Sequence, residues 1–265
     1  MLLPKVVVPL PQRVLLNAAE ATPQYFRKYS TEEPGASALA DASAEAPLYP
    51  RPMDVVVAGG HGKIGLRLLR LLAARRDRAR GLVRNPDHVA DLEAVGAEGA
   101  VCDLERDEAD VAGAVAGADA VVFAAGAGPG SGAERKQTMD LGGAVRLIEA
   151  ARSSRVERYL MISAMGAHDP TAMPEEMRPY YDAKAEADEA VRSSGLAYTI
   201  VRPGRLTDDA GTGLVEVAER LEHAGEISRD DVAATLVAAL DLTIAERTFD
   251  LLRGETPIAE ALTAL

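Results

Sequence analysis

Residues 53–66 read Met-Asp-Val-Val-Val-Ala-Gly-Gly-His-Gly-Lys-Ile-Gly-Leu, a short apolar run that passes through a glycine-rich turn into an amphipathic stretch. The apolar run predicts a strand ending at Ala58, and the stretch beyond it a helix over Ile64–Ala74. Glycines at such a corner make a turn of positive φ, let the backbone close on a pyrophosphate, and let the helix pack on the strand. The free N–H groups and positive dipole end of the helix, with Lys63 in the loop before it and Ile64 at its start, favour phosphates. The corner therefore predicts a dinucleotide site made mostly of backbone. Two registers fit: Gly60, Gly62 and Gly65 as G-x-G-x-x-G, or Gly59, Gly62 and Gly65 as G-x-x-G-x-x-G. The second is preferred, because the strand ends immediately before Gly59. A tight strand-to-helix turn without a ligand is the competing reading of the same glycines.

The chain has 265 residues, 48% of them apolar, which suffices for one sizeable α/β domain. Its formal charge of −12 and the lack of a basic stripe with interleaved aromatics argue against nucleic acid and anionic membranes as partners. Cys102 is the only cysteine, so no internal disulfide forms and a reducing cytoplasm is the expected compartment. His61, His88, His168 and His223 stand singly, which predicts no metal site. Residues 1–52 carry eight prolines between Pro4 and Pro52 and an alanine-rich stretch from Gly35 to Pro47. They are expected to be a disordered or appended leader, or to precede a true start at Met53.

From Met53 onward, strand and helix patterns alternate. Strands are expected at Asp54–Ala58, Ala79–Val83, Gly99–Cys102, Asp119–Ala124, Arg158–Ser163, Tyr198–Val201 and Thr248–Leu252. Helical patterns fall at Ile64–Ala74, His88–Ala94, Glu108–Ala114, Ala133–Ala151, Tyr180–Ser193, Leu214–Glu222, Arg229–Asp241 and Ile258–Leu265. Strands apolar on both faces and separated by helices predict a doubly wound parallel sheet, an α/β fold over residues 53–265.

In such a sheet the ligand lies along the carboxyl ends of the strands. Arg84 follows the second strand, where an acidic residue would suit NAD and an arginine the 2′-phosphate of NADP(H). Lys63 adds a second positive charge. Asp103, after the third strand, either accepts from an adenine amino group, with Leu104 against the ring, or caps its own turn. The fourth strand runs into small residues including Ala125 and Gly126, which admit a close ligand or simply flex. Ser163 ends the fifth strand and is placed to orient a substrate oxygen. Tyr180 and Lys184, four apart on a helix, share a face, and a neighbouring ammonium would lower the phenol's pKa for acid–base work.

These motifs, with the segment Ser194-Gly-Leu-Ala-Tyr-Thr-Ile-Val-Arg-Pro-Gly-Arg-Leu-Thr-Asp, resemble the short-chain dehydrogenase/reductase superfamily, in its atypical NAD(P)H-binding, NmrA-like and flavin-reductase-like group. The resemblance runs from Asp54 to the C-terminus and implies a Rossmann fold. It implies Gly59, Gly62 and Gly65 at the pyrophosphate, Arg84 at the 2′-phosphate, Asp103 at the adenine, Pro203 and Gly204 turning over the nicotinamide, and Ser163, Tyr180 and Lys184 as the catalytic set. Asp140 stands where many members have a catalytic asparagine, and His61 where they have a small hydroxyl residue. The short C-terminal portion disfavours nucleotide-sugars. The expected function is NADP(H)-dependent reduction or oxidation of a small carbonyl, quinone or similar acceptor, with NAD as the other coenzyme. Two further readings are a redox sensor that binds NADP(H) without turnover and an epimerase or dehydratase that retains its coenzyme. Besides a small-molecule substrate, the expected partner is a second copy of the chain or another protein, the latter meeting the loop His168–Pro179 under the sensor reading.

Overall fold

The computed structural model describes residues 52–107, 109–128 and 130–265. Apart from Pro52, the expected leader lies outside the described residues, as does Glu108, the expected start of one helix. The central strand, β1 (Asp54–Ala58), pairs in parallel with β2 (Arg78–Val83) on one side and β4 (Ala120–Phe123) on the other. Outward from β2 lies β3 (Glu98–Val101); outward from β4 lie β5 (Arg158–Ile162), β6 (Ala197–Pro203) and β10 (Arg247–Arg253), all parallel. Antiparallel β8 (Leu214–Ala218) and β11 (Thr256–Pro257) finish that edge, giving the order β11-β8-β10-β6-β5-β4-β1-β2-β3. A short second sheet pairs β7 (Arg205–Thr207) with β9 (Glu226–Ser228).

Alternation along β1 explains why both faces of the sheet are covered. Val55 and Val57 pack with Leu68, Leu72, Leu236 and Leu240 from α1 (Lys63–Ala74) and α6 (Arg229–Asp241). Val56 and Ala58 point the other way. They join Val115 of α3 (Val111–Val115), which follows α2 (Val89–Glu93), together with Leu147 of α4 (residues 133–153) and Val191 of α5 (Arg178–Arg192). The run α4, residues 133–153, contains a π-helical stretch, Lys136–Gly143, ahead of its regular part Ala144–Ser153. A last helix, α7 (Ile258–Thr263), packs on α6. With successive side chains of one strand buried on opposite sides, only a helix layer on each face leaves no apolar surface wet.

The seven expected strands agree with the observed ones to within two residues at each end. The helix expected over Leu214–Glu222 is instead β8. Val215 is buried while its neighbours Leu214 and Glu216 are exposed, an alternation of period two. Its hydrogen-bonding partner β10 comes later in the chain, so local periodicity could not reveal it. Strands β7, β9 and β11 have two or three residues, too few for any period to register.

Candidate active site

The chain leaves β1 for β2 and β3 on one side and returns to β4 on the other, so the strand order reverses between β1 and β4. The glycine corner sits at the top of that crevice. Gly59 adopts φ +81°, and a Cβ on it would lie 2.7 Å from the Ala125 backbone. Its carbonyl accepts from the Gly62 N–H at 2.8 Å and lies 2.3 Å from where a Cβ of Gly65 would sit. Gly59, Gly62 and Gly65 thus meet at one carbonyl, as the wider register requires. Gly60 serves packing, being pressed against Gly81 on β2. Ile64, in the first turn of α1, is buried, and the start of the helix has no side-chain cap and no acidic residue in its first turn. The helix end therefore presents its N–H groups and dipole to the crevice without a competing anion from its own turn.

At the β2–β3 end, Arg84 is exposed, with only a distant approach to Glu105 at 3.7 Å. Glu105 is itself held by Arg135 at 2.9 Å and Thr138 at 2.7 Å. Burial raises the pKa of Glu105, but these two hydrogen bonds outweigh it and leave the carboxyl below its ordinary value. Asp103 caps its turn, accepting from the Glu105 N–H at 3.1 Å, and Leu104 is buried. Lys63 is exposed and meets Asp208, beyond β7, at 2.6 Å; Arg229 reaches the same carboxylate at 2.9 Å. The glycine corner is thereby tied to the segment following β6. His61 stacks on His88 with centroids 3.6 Å apart and meets Asp91 at 2.8 Å. Nothing in the spacing of these three residues announces their contact.

At the β5–β6 end the site is built from buried charge. Lys184 reaches Asp140 at 3.2 Å and also donates to the Ile162 carbonyl at 3.2 Å. Asp140, in the π-helical stretch, accepts from the Ala127 N–H at 3.1 Å, and a Cβ on Gly126 would lie 3.0 Å from its other oxygen. The extra backbone residue of a π turn re-aims its side chains, a device frequent at functional sites. Tyr180 lies one turn before Lys184, whose ammonium is 5.9 Å from the ring centroid. Burial pushes the Tyr180 hydroxyl above its ordinary pKa, Lys184 pulls it down, and Asp140, Tyr181 and Asp188 push it up. Lys184 pulls in the expected direction, but burial outweighs it and the net shift is upward, so the phenol is not brought towards neutral pH. Lysine and tyrosine do share a helix face, but the ammonium is bound to a carboxylate.

Ser163 follows β5, is 3% exposed, and its hydroxyl faces the Asp188 carboxylate. Asp188 takes Arg202 at 2.7 Å through one oxygen, and its other oxygen is buried. Burial raises the Asp188 pKa above its ordinary value, and Arg202 and Ser163 oppose the rise. Pro203 closes β6, its carbonyl accepting from the Met165 N–H at 3.1 Å. Sequence reasoning missed Asp188. The spacing Tyr180, Lys184, Asp188 places all three on one stripe of α5 and is the signal that could have found it.

The residues present fit a dinucleotide: the glycine cradle would be filled by any Cβ, the helix start is uncapped, and the crevice is at the strand-order reversal. Among the described residues no helix is long and apolar enough to cross a membrane. The family model described as NAD(P)H-binding matches residues 59–243. A Bacillus subtilis protein named as the uncharacterized sugar epimerase YhfK is 45% identical over 215 residues, covering 80% of this chain and all of that one. A solved Bacillus halodurans structure, assigned provisionally as an NAD-dependent epimerase/dehydratase, superposes with TM-score 0.76 at 38% identity, covering 80% of this chain and 100% of its own. The oxidoreductase ylbE of Lactococcus lactis superposes with TM-score 0.70 at 27% identity, covering 80% and 96%. These likenesses bear out the resemblance to the atypical, NmrA-like group and the Rossmann arrangement of the sheet. On the glycine crevice, the strand order and the match over residues 59–243, the chain belongs to the NAD(P)H-binding family.

Proposed function

We propose that this protein is an NADP(H)-dependent oxidoreductase acting on a small carbonyl, quinone or related acceptor. The observation that carries the reading is one crevice with two ends. Gly59, Gly62, Gly65 and Ala125 form a phosphate cradle at the strand-order reversal, and Tyr180 stands with Lys184 farther along the same edge of the sheet. A bound nicotinamide supplies or takes up a hydride at its ring C4. The amides opening α1, at Lys63 and Ile64, hold the diphosphate, and exposed Arg84 meets the 2′-phosphate with a planar fork. Asp103 retains a free carboxylate oxygen for the adenine side, with Leu104 beneath it. Gly126 leaves room above Asp140, and Pro203 turns the chain over the reacting end. Tyr180 exchanges the proton, Lys184 holds the ribose side, and Ser163 offers its buried hydroxyl to the acceptor oxygen. Cys102, free and buried, suits a reducing cytoplasm.

The test is calorimetric titration with oxidised and reduced NADP and NAD, followed by NADPH oxidation over a panel of carbonyls and quinones with Tyr180→Phe as control. Binding of NADPH and loss of turnover in that variant are expected. No heat with any coenzyme overturns the reading, and undiminished turnover in Tyr180→Phe removes Tyr180 from it. The epimerase-type names of the Bacillus relatives favour a second reading, in which coenzyme stays bound and is regenerated in place. Its mark is nucleotide retained through purification and released on denaturation, measured by mass spectrometry.

A further inference from the structure

One cation beside Tyr180 is held by no acid. The described residues include three lysines, Lys63, Lys136 and Lys184, and two of them meet carboxylates: Lys63 that of Asp208 at 2.6 Å, and Lys184 that of Asp140 at 3.2 Å. Lys136, which opens the π-helical stretch of α4, meets none among the described residues. Its ammonium stands 5.2 Å from the centre of the Tyr180 ring and donates to the Gly128 carbonyl at 2.8 Å. The Ser131 hydroxyl donates to the same carbonyl at 2.9 Å, so Gly128 keeps a donor when Lys136 turns to a ligand. There is room for the turn, since a Cβ on Gly128 or Gly132 would meet nothing within 4 Å. The neighbouring cation, Arg135, is held by Glu105 at 2.9 Å. An ammonium has three donors, and with one on a neutral carbonyl two remain for a ligand.

We propose that Lys136 is a specificity-determining residue that binds a carboxylate of the substrate, so that the acceptor is a carbonyl compound bearing an acid group. The inference rests on the oxidoreductase reading and narrows its acceptors to oxo acids and carboxylated aldehydes. With the reacting oxygen at Tyr180 and the carboxylate at Lys136, two fixed points orient the acceptor carbon towards the coenzyme. Lys184 cannot take this part, being buried and tied to Asp140 and to the Ile162 carbonyl. A carboxylate gives Lys136 a charge-assisted hydrogen bond, roughly twice as strong as one between neutral groups. Charge balance selects a carboxylate over a phosphate. One ammonium neutralises one carboxylate, whereas a phosphate monoester carries about 1.5 to 2 negative charges and leaves an excess in a chain whose formal charge is −12.

The experiment compares 2-, 3- and 4-carboxybenzaldehyde with their methyl esters as acceptors for NADPH oxidation by the full chain, which varies the span from carbonyl to acid on a constant ring. For the isomer whose span fits, kcat/KM is expected to be about tenfold higher for the acid than for its ester. K136Q is expected to bring that ratio down to about one and K136R to keep most of it, a pattern that lost packing alone would not give. A native ratio of one or below for all three isomers overturns the proposal, as does a ratio that K136Q leaves intact. 4-Formylphenyl phosphate is the second anion, and if it outruns all three acids the carboxylate assignment falls. Should no aldehyde be reduced, calorimetric titration of the three acids into the coenzyme-free native and K136Q proteins decides. Binding about tenfold weaker in K136Q supports the carboxylate site although the oxidoreductase reading has failed; absent or equal binding overturns the site as well. Reduction of the esters with no advantage for the acids overturns the proposal and leaves the oxidoreductase reading standing.

Discussion

The crevice has two ends made of different materials. Around β1 and β2 it is built from backbone: three glycines meet at the Gly59 carbonyl, and the helix start carries no side-chain cap. Around β5 and β6 it is built from buried ions, Asp140 with Lys184 and Asp188 with Arg202, and a buried serine hydroxyl beside Asp188. Backbone amides offer a fixed partial charge to a constant ligand and need no tuning. Buried side-chain pairs cost desolvation, which geometry must offset, and in return they set the protonation of their neighbours. The first kind of site suits a shared coenzyme. The second suits chemistry that differs from one relative to the next.

Removing one partner of a buried pair should separate the two ends most sharply. Arg202→Met leaves the fully buried Asp188 carboxylate without its cation, and urea unfolding is expected to show a loss of about 3–5 kcal/mol. A loss near zero would mean that the ionic end is held by packing alone. Gly65→Ala strikes the backbone end. Its Cβ would press on the Gly59 carbonyl at 2.3 Å, and calorimetry is expected to show coenzyme affinity down by about 100-fold, with a stability loss of about 1–3 kcal/mol. Unchanged affinity would show that the cradle does not hold the diphosphate. Arg84→Ala sharpens the comparison within the coenzyme end. Removing one exposed guanidinium is expected to weaken NADPH by about tenfold and leave NADH unchanged, since only one of them carries a 2′-phosphate. Equal effects on both would take Arg84 out of coenzyme selection.

Legibility in the sequence followed the same division. The glycine corner, the alternation of strands and helices, and the order of strand-end residues could be read because each depends on neighbours within a few positions. Strand β8 could not, because the pairing that makes Leu214–Ala218 extended comes from β10 and β11 at the end of the chain. Asp103 had two readings, and the structure shows the cap to Glu105 formed. The Tyr180 and Lys184 spacing correctly placed both on one face of α5. Lys184 moves the phenol in the direction expected, but the net direction is the opposite, because burial outweighs the ammonium and Asp140 on α4 adds to it, and neither belongs to the neighbours that helix periodicity supplies.

From residues 53–66 and the periodicities after them came the family of fold, the glycine corner and the helix stripe that carries tyrosine and lysine. These are local in origin: φ at Gly59, missing Cβ atoms, and side chains four apart on one helix. The pairing of Lys184 with Asp140 and of Asp188 with Arg202, and the burial that raises the Tyr180 pKa, arose only once α4, α5 and β6 had packed together. Charge interactions act through space and depend on burial, and neither distance nor desolvation is written in the order of residues.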